Sequence, residues 1–198
     1  MLTLDKIYHA AFVLRDVARR TDLIAASRLN SASDLYLKTE NLQVTGSFKV
    51  RGAYYKISQL TAEERAKGVI ACSAGNHAQG VALAATSMGI KSVVCMPDGA
   101  PLMKVESPYD DELVIAGQGT IGLEILDQLP DVEAVVVPVG GGGLLAGVAF
   151  AIKSLRPDVK IYGVQAAGAA SMYNAYRDHT YETLDHVDTF ADGIAVKT

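Results

Sequence analysis

The stretch VPVGGGGLLAG, residues 137–147, decides the fold class of this chain. It overlaps the end of the apolar run AVVVP (134–138), which is typical of a buried strand, and it leads into a helix predicted over 144–155. Four residues without side chains let successive backbone N–H groups wrap a phosphate at the start of a helix. We therefore predict a phosphate-binding loop between a strand and a helix.

Outward from this loop, helical segments alternate with short β-branched runs, a pattern typical of parallel strands joined by covering helices. The predicted fold class is α/β. Strands are predicted over 34–38, 69–73, 92–96, 134–138 and 160–165, and helices over 49–59, 61–68, 76–88, 121–128 and 144–155.

The segment from Met96 to Ile115 is too short for the fold that surrounds it. Pro101 can open a helix, but the helix has barely begun when the sequence SPYDDE follows at Ser107. A complete βαβ unit takes about 30 residues or more, so no such unit fits here. We expect a segment to be absent at this point.

Composition narrows the classes of partner. The net charge is −4 without a basic cluster, which argues against nucleic acid and anionic lipid and favours a small molecule. No apolar run is long enough to cross a bilayer and the N-terminal residues do not resemble a signal peptide, so we expect a cytoplasmic protein. Cys72 and Cys95 lie in apolar runs and are predicted to be buried thiols, with no metal site.

The motif TGSFKVRGA, residues 45–53, places Lys49 between Phe48 and Val50. In the first turn of a helix, partial burial and the helix dipole would both lower the pKa of this lysine and favour the neutral amine that Schiff-base chemistry requires. From this stretch alone, an ordinary exposed lysine remains the alternative.

The motif CSAGNHAQG, residues 72–80, follows a predicted strand and opens a helix. Its backbone N–H groups and the side chains of Ser73 and Asn76 suit a carboxylate, although the same two side chains could simply cap the helix. For His77 taken alone, a structural role is the simpler interpretation.

A dinucleotide is the rival ligand for the glycine loop, because Gly141, Gly143 and Ala146 also fit the spacing of the dinucleotide fingerprint. That fingerprint requires an acidic residue at the end of the next strand, and Gln165 stands there instead.

Taken in order, SFKVRGA, SAGNHAQG, IAGQGTIGLE and PVGGGGLLAG resemble the fold type II pyridoxal-phosphate enzymes. Within them the chain is most similar to the threonine dehydratase (threonine ammonia-lyase) and serine dehydratase group. The resemblance implies pyridoxal 5'-phosphate as cofactor, Lys49 as the Schiff-base lysine and base for the substrate Cα proton, and Phe48 beside the cofactor ring. It further implies Asn76 at the ring hydroxyl, a phosphate site at Gly140, Gly141, Gly142, Gly143 and Leu144, and a substrate-carboxylate loop at Ser73, Ala74, Gly75 and His77.

The same resemblance implies two parallel-sheet domains: a large one at 1–67 and 108–198, and a small one at 68–107. About 40 residues of the small domain are then missing between Glu106 and Ser107. The partner of the pyridine nitrogen would lie beyond Thr198, and a homo-oligomer, dimer or tetramer, is expected.

The expected reaction is the deamination of L-threonine or L-serine to a 2-oxo acid and ammonia. Related serine racemases carry a serine where this chain has Ala74, and a methyl group cannot transfer a proton, which argues against racemisation. Two rival functions stay open: β-replacement by an enzyme of the same fold, and nucleotide binding by a non-catalytic or regulatory module.

Overall fold

The computed structural model describes residues 1–29, 32–73, 75–95, 110–181 and 183–197. The helices are α1 Leu4–Leu14, α2 Lys49–Ser58, α3 Ala62–Lys67, α4 Asn76–Ser87, α5 Glu112–Gln128, α6 Gly143–Leu155 and α7 Ser171–Asp178. The strands are β1 Leu23–Ala25, β2 Tyr36–Lys38, β3 Val69–Cys72, β4 Ser92–Cys95, β5 Ala134–Pro138 and β6 Lys160–Val164. Within these ranges, every helix is too short or too polar to cross a membrane.

The strands of the described residues form three two-stranded sheets. β1 and β2 are antiparallel, whereas β3 pairs with β4 and β5 pairs with β6 in parallel. α4 connects the strands of one parallel pair and α6 those of the other, so each pair is a βαβ unit. The predicted α/β class is confirmed.

Local signals in the sequence set several element boundaries. The side chains and backbones of Thr61 and Glu64 form a reciprocal capping box at the start of α3. Gly68 and Gly89 follow α3 and α4 with φ angles of +83° and +66°, in the region that favours glycine.

The start of α5 was not predicted. The sequence indicated a helix from residue 121, but α5 begins at Glu112, where the Asp111 side chain accepts hydrogen bonds from the N–H groups of Leu113 and Val114. Gly117 and Gly119 in its first half lower the intrinsic helix propensity of this segment, yet they allow other helices to pack closely against it.

The prediction that both cysteines are buried is wrong. Cys72 and Cys95 are exposed. Ala71 is buried against α4, and since side chains alternate along a strand, its neighbour Cys72 belongs to the opposite face of the sheet. The helix expected from Pro101 and the junction of Glu106 and Ser107 lie outside the described residues.

In the part of the chain that the structure describes, three apolar clusters make up the core. The first joins α2, α4 and β3, and the second joins α5, α6, β5 and the residues just before β6. The third contains Ile7 and Ala10 of α1 with Tyr55 of α2, and it reaches α5 and α6. α2 therefore packs into both the first and third clusters. The division into domains at 1–67, 68–107 and 108–198 stays a prediction.

Glycines let the backbone of α2 touch the helices on either side. A Cβ added to Gly117 of α5 would lie 2.6 Å from the carbonyl oxygen of Arg51 and from Cα of Gly52. A Cβ added to Gly80 of α4 would lie 3.1 Å from the carbonyl oxygen of Lys49. The first turns of α2 are thus held by direct backbone contact between α4 and α5.

Candidate functional site

A cavity of about 590 Å³ lies where the first turn of α2, the end of β3 and the glycine loop before α6 meet. Its size falls within the range of about 300 to 1,000 Å³ usual for sites that bind cofactors and small ligands. Of the residues predicted from the sequence, its walls contain Phe48, Lys49, Ser73, His77, Gly140, Gly141, Gly142, Gly143 and Leu144.

Lys49 is the first residue of α2 and is half-buried in the cavity wall. Phe48, which precedes it, packs against the second apolar cluster. Because the carbonyl of Lys49 lies against Gly80, the backbone that carries this amine is fixed. Lys49 therefore lines the cavity from a fixed backbone position at a helix N-terminus.

The glycine loop leaves backbone donors at the start of α6. Gly142 has a φ angle of +85°, and α6 begins at Gly143 without a hydrogen bond from a capping side chain in the described chain. The first N–H groups of a helix have no partner within the helix, so they remain for a ligand. A Cβ at Gly140 would lie 2.8 Å from Cγ2 of Val196, so this part of the loop has no room for a side chain.

Only part of the predicted carboxylate loop lines the cavity. Ser73 and His77 line the cavity, and Ser73 Oγ accepts a hydrogen bond of 3.3 Å from the N–H of Gly75. Gly75 is exposed at the start of α4 and Asn76 is half-buried, and neither belongs to the described lining. Ala74 lies outside the described residues.

Among the cavity residues that sequence reasoning missed are three polar ones, Lys56, Asp111 and Gln118, and also Gly193 and Ile194. Lys56 of α2 pairs with Asp111 at 2.8 Å. Burial alone would raise the pKa of Asp111, but the hydrogen bonds from Lys56 and from the N–H groups of Val114 and Leu113 outweigh burial and lower it. The seven-residue spacing of Lys49 and Lys56, two turns of one helix, could have indicated that both face the same way.

Gln118 places a buried amide in the cavity wall. Its side chain is 3% exposed, and its Oε1 has no hydrogen-bond partner in the parts of the chain that are described. A buried acceptor without a donor costs free energy, and a ligand that donates a hydrogen bond would recover it.

Arg51 lies in the first turn of α2, as Lys49 does, but outside the described cavity lining, and its side chain anchors this turn. Its side chain is 1% exposed, and its guanidinium forms paired hydrogen bonds with Glu40 at 2.9 and 2.9 Å and with Glu124 at 2.6 and 3.0 Å. It also donates to Thr120 Oγ1 and to the carbonyl of Arg19. Burial alone would lower the pKa of Arg51, but its two carboxylate partners raise it.

Lys38 completes this buried charge network. Its Nζ lies 2.6 Å from Glu124 and also donates to Gln128. Burial lowers the pKa of Lys38 despite the opposing effect of Glu124. The network joins β2, α2 and α5, and a second cavity of about 390 Å³, lined in part by Arg51, Thr120 and Glu124, lies beside it.

The sequence profile of the family described as pyridoxal-phosphate dependent enzyme matches residues 14–108 and 104–198. The chain belongs to this family. The resemblance inferred from the four motifs is therefore confirmed, and family membership favours pyridoxal phosphate over a dinucleotide.

A curated relative that this chain matches is the L-threonine ammonia-lyase of Thermotoga maritima. It is 47% identical over 234 aligned positions, which include 100% of this chain and 58% of the relative. The chain thus spans less than two thirds of that relative. Because the chain has 198 residues, 36 of the 234 aligned positions are gaps in this chain, which agrees with an absent segment. The location of that segment between Glu106 and Ser107 stays a prediction.

Solved structures of the family superimpose closely on this chain. Threonine deaminase isoform 2 of Solanum lycopersicum matches with a TM-score of 0.87 and 40% identity over 98% of this chain and 65% of that one. Maize serine racemase matches with a TM-score of 0.90 and 30% identity over 98% of this chain and 71% of that one.

The cavity fits the family's cofactor. The glycine loop supplies N–H groups without side chains for a phosphate, and Lys49 lines the same cavity with an amine for the aldehyde. The one carboxylate in the described lining, Asp111, is already neutralised by Lys56, so it does not repel the phosphate.

Proposed function

We propose that this protein deaminates L-threonine or L-serine with pyridoxal phosphate, losing water from the substrate and releasing a 2-oxo acid and ammonia. The observation that carries the proposal is the single cavity in which Lys49, the glycine loop, Ser73 and His77 all line the wall. An amine, a phosphate site and a polar loop for a carboxylate are the three features that an amino-acid substrate on this cofactor requires.

When bound, the cofactor supplies a ring that takes up the electron pair left on the substrate Cα. Lys49 is proposed to hold the cofactor between turnovers and to accept the Cα proton at Nζ. Its fixed backbone supports this role, because proton transfer requires the base within about 2.6 to 3.2 Å of the heavy atom that carries the proton. The N–H groups of Gly140 to Leu144 would bind the phosphate and spread its charge.

The remaining residues are proposed to orient the substrate. Ser73, Ala74, Gly75 and His77 would surround its carboxylate, and Asn76 would hydrogen-bond the ring hydroxyl of the cofactor. The start of α4 within this loop supports a carboxylate site, since a helix N-terminus carries partial positive charge.

The name of the Thermotoga maritima relative favours threonine over serine as the main substrate. The preference is expected to be modest, because one methyl group in a pocket changes the free energy of binding by about 1 to 3 kcal/mol.

The test is Lys49→Ala beside a matched control, Lys67→Ala, which removes an exposed lysine that pairs with Glu63. We expect Lys49→Ala to lose 2-oxo acid production and the visible absorption of bound cofactor, while Lys67→Ala retains both. Borohydride reduction followed by peptide mass analysis should place the cofactor on Lys49 in the wild type. Substantial turnover by Lys49→Ala would end the assignment.

Serine racemisation is the second candidate, favoured by the high TM-score with the maize enzyme. We expect little D-serine from the wild type, because Ala74 has no group that can protonate the second face of the substrate. Chiral chromatography of the products measures this, with Ala74→Ser as the variant that restores a hydroxyl. Abundant D-serine from the wild type would make the racemase the better assignment.

Two further proposals concern the setting of the enzyme. A cytoplasmic location is supported by exposed free thiols, which are typical of reducing compartments. A homo-oligomer, dimer or tetramer, is supported by the exposed aromatic side chains of Tyr8 and Phe12 on α1. Light scattering of the purified protein tests the second proposal.

A further inference from the structure

The only two cysteines of the chain lie side by side at the edge of the candidate site. β3 and β4 are neighbouring parallel strands, and their register pairs Cys72 with Cys95 as the last residues of both strands. Both side chains are exposed. Because 22 residues separate the two cysteines, the sequence alone does not predict that they are neighbours.

The register brings the two thiols within reach of a disulfide. Neighbouring strands lie about 4.8 Å apart and residues in register point to the same face of the sheet. A disulfide requires Cα atoms about 4.4 to 6.8 Å apart, so the backbone already meets this condition.

The distance between the Cβ atoms is less suitable for a disulfide than the distance between the Cα atoms, and this affects how easily the bond would be reduced. In-register Cβ atoms on parallel strands are separated by roughly the strand spacing, whereas a disulfide prefers about 3.5 to 4.5 Å. Closing the bond must draw the strand ends together by a few tenths of an ångström. Exposed and strained disulfides are the readily reduced ones.

We propose that Cys72 and Cys95 form a reversible disulfide under peroxide and that this pair is a redox-sensitive modification site of the protein. In the first step one thiol loses its proton and its sulfur attacks peroxide. The O–O bond breaks, a sulfenic acid forms, and the hydroxide that leaves takes up the thiol proton as water. The second thiol also loses its proton, and its sulfur attacks the sulfenic sulfur. The Sγ–Sγ bond forms, and the hydroxide that leaves takes up this proton as a second water. Two electrons pass from the thiols to one peroxide.

The position of Cys72 connects this bond to the cavity. Cys72 lines the cavity and directly precedes Ser73, the first residue of the predicted carboxylate loop. Drawing Cys72 toward Cys95 displaces the start of that loop, so substrate affinity should fall while the phosphate loop, on another element, keeps its geometry. This consequence rests on the proposed function, whereas the disulfide itself does not.

The chemical test uses the intact protein treated with a small excess of hydrogen peroxide. We expect both free thiols to disappear and the mass to fall by about 2 Da, because two hydrogens are lost, with recovery on reduction by dithiothreitol. Cys95→Ser should instead keep one thiol or gain oxygen. If the wild type gains oxygen at both sulfurs or forms covalent dimers on a non-reducing gel, the proposal fails.

The functional test compares the wild type and Cys95→Ser before and after peroxide. Cys95 is outside the described cavity lining, so this variant should start with normal activity. We expect oxidation to lower kcat/KM of the wild type about tenfold, mainly through KM, because a displacement of about 1 Å can cost about a hundredfold and this one is smaller. Cofactor absorption should be retained and Cys95→Ser should resist.

The outcomes separate the two proposals. A mass loss of about 2 Da in a protein without deaminase activity would support the disulfide and overturn the proposed function. Equal inactivation of the wild type and Cys95→Ser would overturn the claim that the disulfide controls the site.

Discussion

Replacing Arg51 with Met should be among the most destabilising single substitutions outside the cavity. Arg51 is 1% exposed and faces Glu40 and Glu124, whose side chains are only 12% and 17% exposed. Met fills a similar volume but leaves Glu40 without its guanidinium partner. Among the described residues, Glu124 would then keep Lys38 as its one neighbouring cation.

The expected cost follows from the burial of these carboxylates. Removing one partner of a buried ion pair costs about 3 to 5 kcal/mol, because the remaining charge stays desolvated. A domain of this kind has a free energy of unfolding of about 5 to 15 kcal/mol, so the loss is a large fraction of the total. Arg15, whose side chain is 62% exposed and pairs with Asp16, offers the matched control, Arg15→Met. Its loss should cost less than about 1 kcal/mol.

Urea unfolding followed by circular dichroism measures both variants. With a slope of about 2 kcal/mol per molar urea, Arg51→Met should lower the midpoint by roughly 1.5 to 2.5 M, and Arg15→Met by less than about 0.5 M. Arg51→Lys should lie between them, because it keeps the charge but not the paired hydrogen bonds. A midpoint for Arg51→Met within about 0.5 M of the wild type would refute the view that this network anchors α2.

Three further predictions concern glycines and the charged pair of the cavity. Gly142→Ala should weaken pyridoxal phosphate binding in a fluorescence titration, whereas Gly89→Ala, which has a similar positive φ outside the cavity lining, should lose about 1 to 2 kcal/mol of stability and bind normally. Gly117→Ala should lower the melting temperature in calorimetry, because its Cβ would meet backbone atoms at 2.6 Å and overpacking costs about 1 to 3 kcal/mol. Since the pKa of Asp111 is lowered from its ordinary value of 3.8, its stabilisation is complete above that pH and is lost as the pH falls through the folded-state pKa. The urea midpoint should therefore fall more steeply below pH 4 in the wild type than in Asp111→Asn, which keeps the helix cap.

Elements with strong local signals were predictable from the sequence. β5 was predicted over its full extent, and the capping box of α3 and the glycine loop before α6 were located correctly, because each depends on neighbouring residues only. The family was predictable for the same reason, since its motifs are contiguous.

Features that depend on distant residues could not be predicted. The first half of α5 was not predicted, because the close approach of Gly117 to Gly52 arises only in the folded chain. The exposure of Cys72 depends on which face of β3 meets α4, and the pairing of Lys56 with Asp111 depends on how α2 lies beside the start of α5. The hydrophobic periodicity within one segment predicts neither the exposure of Cys72 nor the ion pair.

The glycine contacts on both sides of α2 also determine how Lys49 can move. With its backbone touching α4 and α5, the helix cannot slide or rotate without opening both contacts, so any travel of the amine must come from the torsions of its own four-carbon side chain. Such rotamer changes take picoseconds to nanoseconds at accessible positions, far faster than helix displacements. The proton transfer that we propose for this lysine would then not depend on the slower motions of the surrounding helices.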